Sequence, residues 1–225
     1  MSNAATSHVR VNRSLLAVVE RRVLVWVAER LPTEIHADHL TALSVVGTAV
    51  ASLSFALARL FPVALLGVAV GLSINWFGDS LDGTLARVRR QERPRYGFYV
   101  DHLLDVVGAT MLMGGIALSG FMTPLVALGV LVAYLLVSAE VFLATAVGGE
   151  FSLSFVRIGP TELRILLAAG ACALLEWPTV RLPGMGAVLL LDVAGVVAMA
   201  GLLAALTVSA TLMGRQLYVA EPRHR

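Results

Sequence analysis

The chain has 225 residues, of which 58% are hydrophobic and 14% are charged, and its formal net charge is +2. Soluble domains are about 45–50% apolar and roughly 25% charged, so this composition excludes an ordinary water-soluble domain and predicts one integral membrane domain. All 17 basic residues are arginines, which excludes a lysine nucleophile, and the single cysteine, Cys172, excludes an intrachain disulfide.

The first predicted element is a helix with one apolar face. The residues on that face are Leu16, Val19, Val23, Trp26 and Val27, while Arg13, Glu20 and Arg21 lie elsewhere. Such a helix lies in the membrane interface or packs on the bundle as an ordinary amphipathic helix, and the two interpretations are compatible. We therefore expect residues 1–38 to form a cytoplasmic or interfacial segment ahead of the membrane domain.

Six apolar segments follow. A spanning helix needs about 20 mostly apolar residues. The segments that approach this length are 40–58, 61–79, 98–119, 124–146, 161–177 and 186–211. The predicted fold class is all-α, an integral membrane bundle of six transmembrane helices preceded by an N-terminal amphipathic interfacial helix. The expected limits are 39–213 for the six-span domain and 214–225 for a cytoplasmic C-terminal tail.

The arginines predict the orientation of this bundle. Most of them lie before the first span, in the 80–97 loop, near the connection of the fourth and fifth spans, or after the last span, and only Arg59 and Arg181 fall on the opposite side. By the positive-inside tendency, both termini and the 80–97 loop are cytoplasmic. We expect a multi-pass protein of a bacterial or archaeal cytoplasmic membrane.

The most informative stretch, residues 79–105, holds four aspartates. Asp79 and Asp82 share a helix face at the end of the second span, and Asp101 and Asp105 share a face at the start of the third. The loop between the pairs reverses the chain, so the pairs are expected to converge. Converging carboxylates repel one another unless cations neutralise them, and all-oxygen ligands suit Mg²⁺, Mn²⁺ or Ca²⁺. The alternative is that each aspartate caps a helix or pairs with a loop arginine.

Two divalent ions held by these carboxylates would bind a pyrophosphate. Gly83 and Ala86 leave little bulk beside Asp82, Arg87 lies one turn beyond Gly83 with a guanidinium suited to phosphate, and Gly97 favours a turn and close backbone approach.

This stretch resembles the pattern of the CDP-alcohol phosphatidyltransferase family, D-x-x-D-G-x-x-A-R, eight or nine residues, then G-x-x-x-D-x-x-x-D. The matching residues are Asp79, Asp82, Gly83, Ala86, Arg87, Gly97, Asp101 and Asp105, with nine residues in the gap. The resemblance implies a phosphotransferase of phospholipid biosynthesis, commonly a homodimer, with its active site open to the cytosol. It further implies that Mg²⁺ or Mn²⁺, two ions in all, would be bound by Asp79, Asp82, Asp101 and Asp105.

The resemblance also implies a role for each residue. Asp105 would be the general base on the acceptor hydroxyl, and Asp82, Gly83, Ala86, Arg87 and Gly97 would lie along the CDP moiety. Upstream, HLTALSVVG at 39–47 resembles the family's P-N-x-x-T region in its Thr41 alone. Thr41 is therefore a candidate for the CDP pocket, with a helix N-cap as the equal alternative.

The expected reaction transfers a phosphatidyl group from CDP-diacylglycerol to a small polar alcohol of the glycerol 3-phosphate or inositol phosphate type, with release of CMP. His102, which follows Asp101, supports an alternative branch in which a CDP-choline or CDP-ethanolamine donor acts on diacylglycerol. A transporter that uses its acidic residues as an ion pathway, or a scaffold with a decayed motif, are the non-enzymatic alternatives. No nucleic-acid partner is expected.

Near the fifth span, three charged residues are candidates for acceptor binding: Arg157, Glu162 and Arg164. The two arginines would bind an anionic head group such as an acceptor phosphate. The alternative is that they set the topology and pair with Glu162.

Overall fold

A computed structural model describes residues 17–148, 160–184 and 186–221. In chain order the helices are α1 (Ala17–Ala28), α2 (Ala37–Ala58), α3 (Leu65–Val88), α4 (Pro94–Leu118), α5 (Pro124–Gly148), α6 (Pro160–Ala173) and α7 (Leu190–Ala220). A single 3-10 turn, Pro62–Ala64, precedes α3, and two short strands, β1 (Thr179–Leu182) and β2 (Gly186–Leu189), lie between α6 and α7. Three of the helices begin with proline, which suits the first helical position because its missing N–H has no partner there anyway.

Five helical segments in the described part of the chain are long and apolar enough to cross a membrane. They are Ala37–Ala58, Pro62–Val88, Pro94–Leu118, Pro124–Val147 and Leu190–Ala220. They correspond to five of the six predicted spans and confirm an all-α integral membrane protein. The remaining predicted span, 161–177, is occupied by α6. This helix has 14 described residues, fewer than the about 20 that a spanning helix needs.

The β-hairpin was not predicted. Strands β1 and β2 pair antiparallel, with Thr179 opposite Leu189 and Leu182 opposite Gly186. Residues 186–189, which the hydropathy assigned to the start of the last span, therefore belong to a strand. Gly184 and Gly186 at the turn have φ of 78° and 76°, a conformation that glycine adopts without a steric penalty.

Helix α2 packs against both α3 and α4. Glycine lets the backbones approach closely, since a Cβ on Gly115 of α4 would lie 2.2 Å from the carbonyl oxygen of Ser52 in α2. A Cβ on Gly78 of α3 would lie 2.5 Å from the carbonyl oxygen of Leu40. The contact at Gly78 brings the first turns of α2 against the last turns of α3.

Two buried apolar clusters hold the helices together. The larger contains Phe55, Leu65, Val68, Met122 and Leu174 and joins α2 and α3 to α4, α5, α6 and the segments that follow α4 and α6. The smaller lies at the other end of the bundle. There, Leu24 and Ala28 of α1 pack with Leu40 near the start of α2 and with Leu81 and Leu85 near the end of α3. In α1, therefore, Leu24 and Ala28 face the bundle, whereas Val23 and Trp26 of the predicted apolar face are 49% and 57% exposed.

Candidate active site

One cavity lies at the end of the bundle where α3 ends and α4 begins. It holds about 440 Å³ of space, open solvent included, and its lining comes from α2, α3, α4 and α6. All four aspartates singled out by the sequence line it: Asp79, Asp82, Asp101 and Asp105. Thr41 and Arg164, which lie far from this motif in the sequence, line it too.

Helical spacing explains how each pair reaches the cavity. Asp79 and Asp82 lie three residues apart in α3, and Asp101 and Asp105 lie four apart in α4, so each pair occupies one face of its helix. The connection of α3 and α4 turns at residues 89–93, where Arg90 has a φ of 54°. Gly97 was expected to permit this turn, but it lies inside the first turns of α4, so that prediction is wrong.

Asp82 is held by two donors. The Thr41 hydroxyl donates a hydrogen bond of 2.6 Å to Oδ2, and the Gly83 amide lies 2.5 Å from Oδ1. Thr41 lies in the second turn of α2, which begins at Ala37, and not at its N-cap. The close approach at Gly78, one turn before Asp82, brings the two side chains within reach.

Asp79 forms an ion pair with Arg164. Nη2 of Arg164 lies 2.5 Å from Oδ2 of Asp79, and Nε donates to Oδ1 of Asn75 at 2.7 Å. The Arg164 and Asp79 side chains are only 18% and 33% exposed, so water screens this pair less than a surface salt bridge. The guanidinium therefore joins α6 to two positions on one face of α3.

Asn75 is a site residue that the sequence reasoning missed. Its Nδ2 donates to the carbonyl oxygen of Ser44 at 3.1 Å and to the Thr48 hydroxyl at 3.0 Å, which turns Oδ1 toward Arg164. The sequence could have indicated this residue, because it is an amide within an apolar span, one turn before Asp79.

The other predicted site residues either do not line the cavity or fall outside the described residues. Gly83, Ala86, Arg87, Gly97 and Glu162 are not among the described residues that line it. Arg87 donates to the Thr84 hydroxyl at 3.2 Å, and Gly97 has open space at its Cβ position. Arg157 falls outside the described residues.

His102, on which the amino-alcohol alternative depended, packs among aromatic rings. Its ring centroid lies 4.0 Å from that of Phe98 and 5.2 Å from that of Phe142 in α5. His102 is not one of the residues that line the cavity.

The donor chemistry of the cavity fits a hard divalent cation, because four carboxylates and no thiolate or imidazole line it. Within 17–148, 160–184 and 186–221, however, no three His, Cys, Asp or Glu side chains stand in an arrangement that holds a metal ion. Asp79 and Asp82 are engaged by Arg164, Thr41 and the Gly83 amide instead.

A comparison with curated proteins finds no match. A sequence profile of the CDP-alcohol phosphatidyltransferase family, however, matches residues 34–211, which is well over half of the chain and includes every residue of the cavity lining. Members of this family are phosphotransferases that generally depend on a divalent metal. The chain therefore belongs to the CDP-alcohol phosphatidyltransferase family, and it is a membrane phosphotransferase of phospholipid biosynthesis.

Proposed function

We propose that the protein transfers a phosphatidyl group from CDP-diacylglycerol to the hydroxyl of a small alcohol that carries a phosphate, such as glycerol 3-phosphate or inositol phosphate. The observation that carries this proposal is the presence of four carboxylates and one arginine at the same cavity. The carboxylates suit a metal-bound pyrophosphate, and the guanidinium suits a second anionic group.

In the proposed reaction, the acceptor oxygen attacks the phosphorus that bears the lipid. A new P–O ester bond forms, the P–O bond to CMP breaks, and the proton of the acceptor hydroxyl passes to Asp105. Asp79, Asp82, Asp101 and Asp105 would hold Mg²⁺ or Mn²⁺, which when bound supplies positive charge for the phosphates. Because little covalent chemistry is required of the protein, positioning and charge stabilisation dominate the rate.

The remaining predicted site residues take supporting roles. Thr41 orients the Asp82 carboxylate, and Gly83, Ala86, Arg87 and Gly97 lie along the approach of the CDP moiety. Arg164 binds the acceptor phosphate from its place on α6, where its charge is already directed at the cavity.

We also propose that α6 is a sixth span. Arg164, near its beginning, contacts Asp79 toward the end of α3, whereas Leu174, just after its end, packs in the cluster of Leu65 at the start of α3. Its 14 residues rise roughly 21 Å, compared with a hydrocarbon core of about 30 Å. Six spans, with the arginine distribution, support termini and a cavity on the cytoplasmic side.

The test is CMP release from CDP-diacylglycerol by purified protein in detergent with Mn²⁺, against glycerol 3-phosphate, inositol 1-phosphate, inositol and serine. Release with one of the two phosphate-bearing alcohols supports the proposal. Release with inositol or serine alone contradicts the assigned role of Arg164. If none of the four supports release, the proposed acceptor class is wrong. The acceptor is then a different alcohol, or the protein belongs to the amino-alcohol branch, for which CDP-choline with diacylglycerol is the next pair to assay.

A further inference from the structure

Glu20 of α1 accepts hydrogen bonds from two other helices. The Trp76 indole Nε1 donates to its Oε1 at 2.8 Å, and the Ser80 hydroxyl donates to the same oxygen at 3.3 Å. The Thr161 hydroxyl of α6 lies 3.0 Å from Oε1 and 3.2 Å from Oε2. One half-buried carboxylate thus joins α1, α3 and α6.

These contacts lie at the level of the cavity. Trp76 and Ser80 each follow directly after a residue that contacts Arg164, since Asn75 precedes Trp76 and Asp79 precedes Ser80. Thr161 lies three residues before Arg164, about one helical turn. Glu20 therefore ties α6 to α3 within one turn of the place where Arg164 reaches into the cavity.

The chemistry of these hydrogen bonds favours a clamp, in which Glu20 fixes the start of α6 against α3, over incidental packing. A carboxylate that accepts several hydrogen bonds forms charge-assisted bonds, which are stronger than neutral ones. Thr161 lies at the beginning of α6, so its hydroxyl restrains the end of the helix that carries Arg164. The Arg164 guanidinium contacts Asn75 and Asp79 at once, and both contacts depend on the distance between α6 and α3.

We propose that Glu20 is a positioning residue for acceptor binding, which acts by fastening the start of α6 to α3 and so holding Arg164 at the cavity. Glu20 lies outside residues 34–211, so the proposal adds α1 to the machinery of the site. The acceptor part of this inference rests on the proposed function.

The first test compares Glu20→Ala with Glu29→Ala, which removes an exposed carboxylate just after the same helix. With glycerol 3-phosphate or inositol 1-phosphate as the probe, we expect Glu20→Ala to raise the acceptor KM about tenfold. The KM for CDP-diacylglycerol and kcat should stay within about twofold, since Glu20 touches neither donor nor reacting atoms. Thr161→Val, which removes one hydroxyl at nearly constant shape, should reproduce part of the effect if Glu20→Ala folds poorly. An unchanged acceptor KM in both Glu20→Ala and Thr161→Val overturns the proposal.

The second test asks whether Glu20 acts through Arg164. In an Arg164→Ala background, Glu20→Ala should raise the acceptor KM no further, and an equal further rise overturns the proposed route. The Tm losses of Glu20→Ala and Thr161→Val should not add up in the Glu20→Ala/Thr161→Val double variant. Additive losses overturn the link between the helices. Wild-type protein that releases CMP with neither probe removes the proposed function and the acceptor role of Glu20 with it, while the Tm values still decide whether the clamp exists.

Discussion

At the residue scale, the spacing of the aspartates determines how much of the site is predictable. Residues three or four apart on a helix share a face, so the pairs Asp79–Asp82 and Asp101–Asp105 follow from the sequence alone. The contacts of Thr41 with Asp82 and of Arg164 with Asn75 do not follow, because they depend on which faces α2 and α6 turn toward α3. That orientation is set by tertiary packing, such as the backbone contact at Gly78.

The Thr41–Asp82 hydrogen bond gives the first prediction. Thr41→Val keeps the side-chain shape but removes the 2.6 Å donor to the carboxylate. A hydrogen bond to a charged group contributes about 1.5–3 kcal/mol, so we expect a lower Tm and weaker binding of CDP in the presence of Mn²⁺. Thermal melting with and without CDP measures both effects. Thr207→Val, which removes a hydroxyl bonded within α7 to Leu203, is the control, and equal losses in the two variants would contradict the prediction.

Arg164 gives the second prediction. Arg164→Ala should raise the apparent KM for a phosphate-bearing acceptor roughly 10- to 100-fold, since a charge-assisted contact to phosphate is lost. Steady-state CMP release at saturating CDP-diacylglycerol measures this change. Arg59→Ala, an arginine outside the cavity lining, serves as the matched control. An unchanged acceptor KM in Arg164→Ala would remove this residue from acceptor binding.

At the element scale, hydropathy locates helices but not their neighbours. The predicted spans 40–58, 98–119 and 124–146 match α2, α4 and α5 to within a few residues, because about 20 apolar residues leave few alternatives in a bilayer. Helices α3 and α7 continue to Val88 and Ala220, well beyond the predicted ends at 79 and 211. Hydropathy failed at residues 186–189, which it assigned to the last span but which form the second strand of a hairpin. Pro183 and Gly184 carried the missing information, since such a dipeptide marks a turn.

Two adjacent glycines of α4 give the prediction at this scale. A Cβ on Gly115 would lie 2.2 Å from the Ser52 carbonyl oxygen, whereas one on Gly114 would meet nothing within 4 Å. Gly115→Ala should therefore force α2 and α4 apart and destabilise the fold by about 1–3 kcal/mol. Gly114→Ala should leave Tm unchanged or raise it, because alanine favours the helix. Comparable Tm values for the two variants would refute the close packing of α2 and α4.

At the scale of the whole molecule, the site depends on helices that lie far apart in the sequence. Helix α2 supplies Thr41, α3 and α4 supply the aspartates, and α6 supplies Arg164. Through Leu24 and Ala28, the smaller apolar cluster packs α1 against the start of α2 and the end of α3. The motif at 79–105 therefore predicts the reaction class, while the positions of Thr41 and Arg164 at the cavity depend on the surrounding helices.

The most direct test of this account is CMP release from CDP-diacylglycerol by Asp105→Asn in the presence of Mn²⁺ and the best acceptor of the wild type. The substitution removes the proposed base with almost no change of shape, so release should fall by at least about 100-fold. Asp192→Asn, at a carboxylate that accepts hydrogen bonds from Thr123 outside the cavity, should keep its activity. CDP with Mn²⁺ should still raise the Tm of Asp105→Asn, which would show that its site is folded. Release by Asp105→Asn within about tenfold of the wild type would contradict the assigned reaction centre.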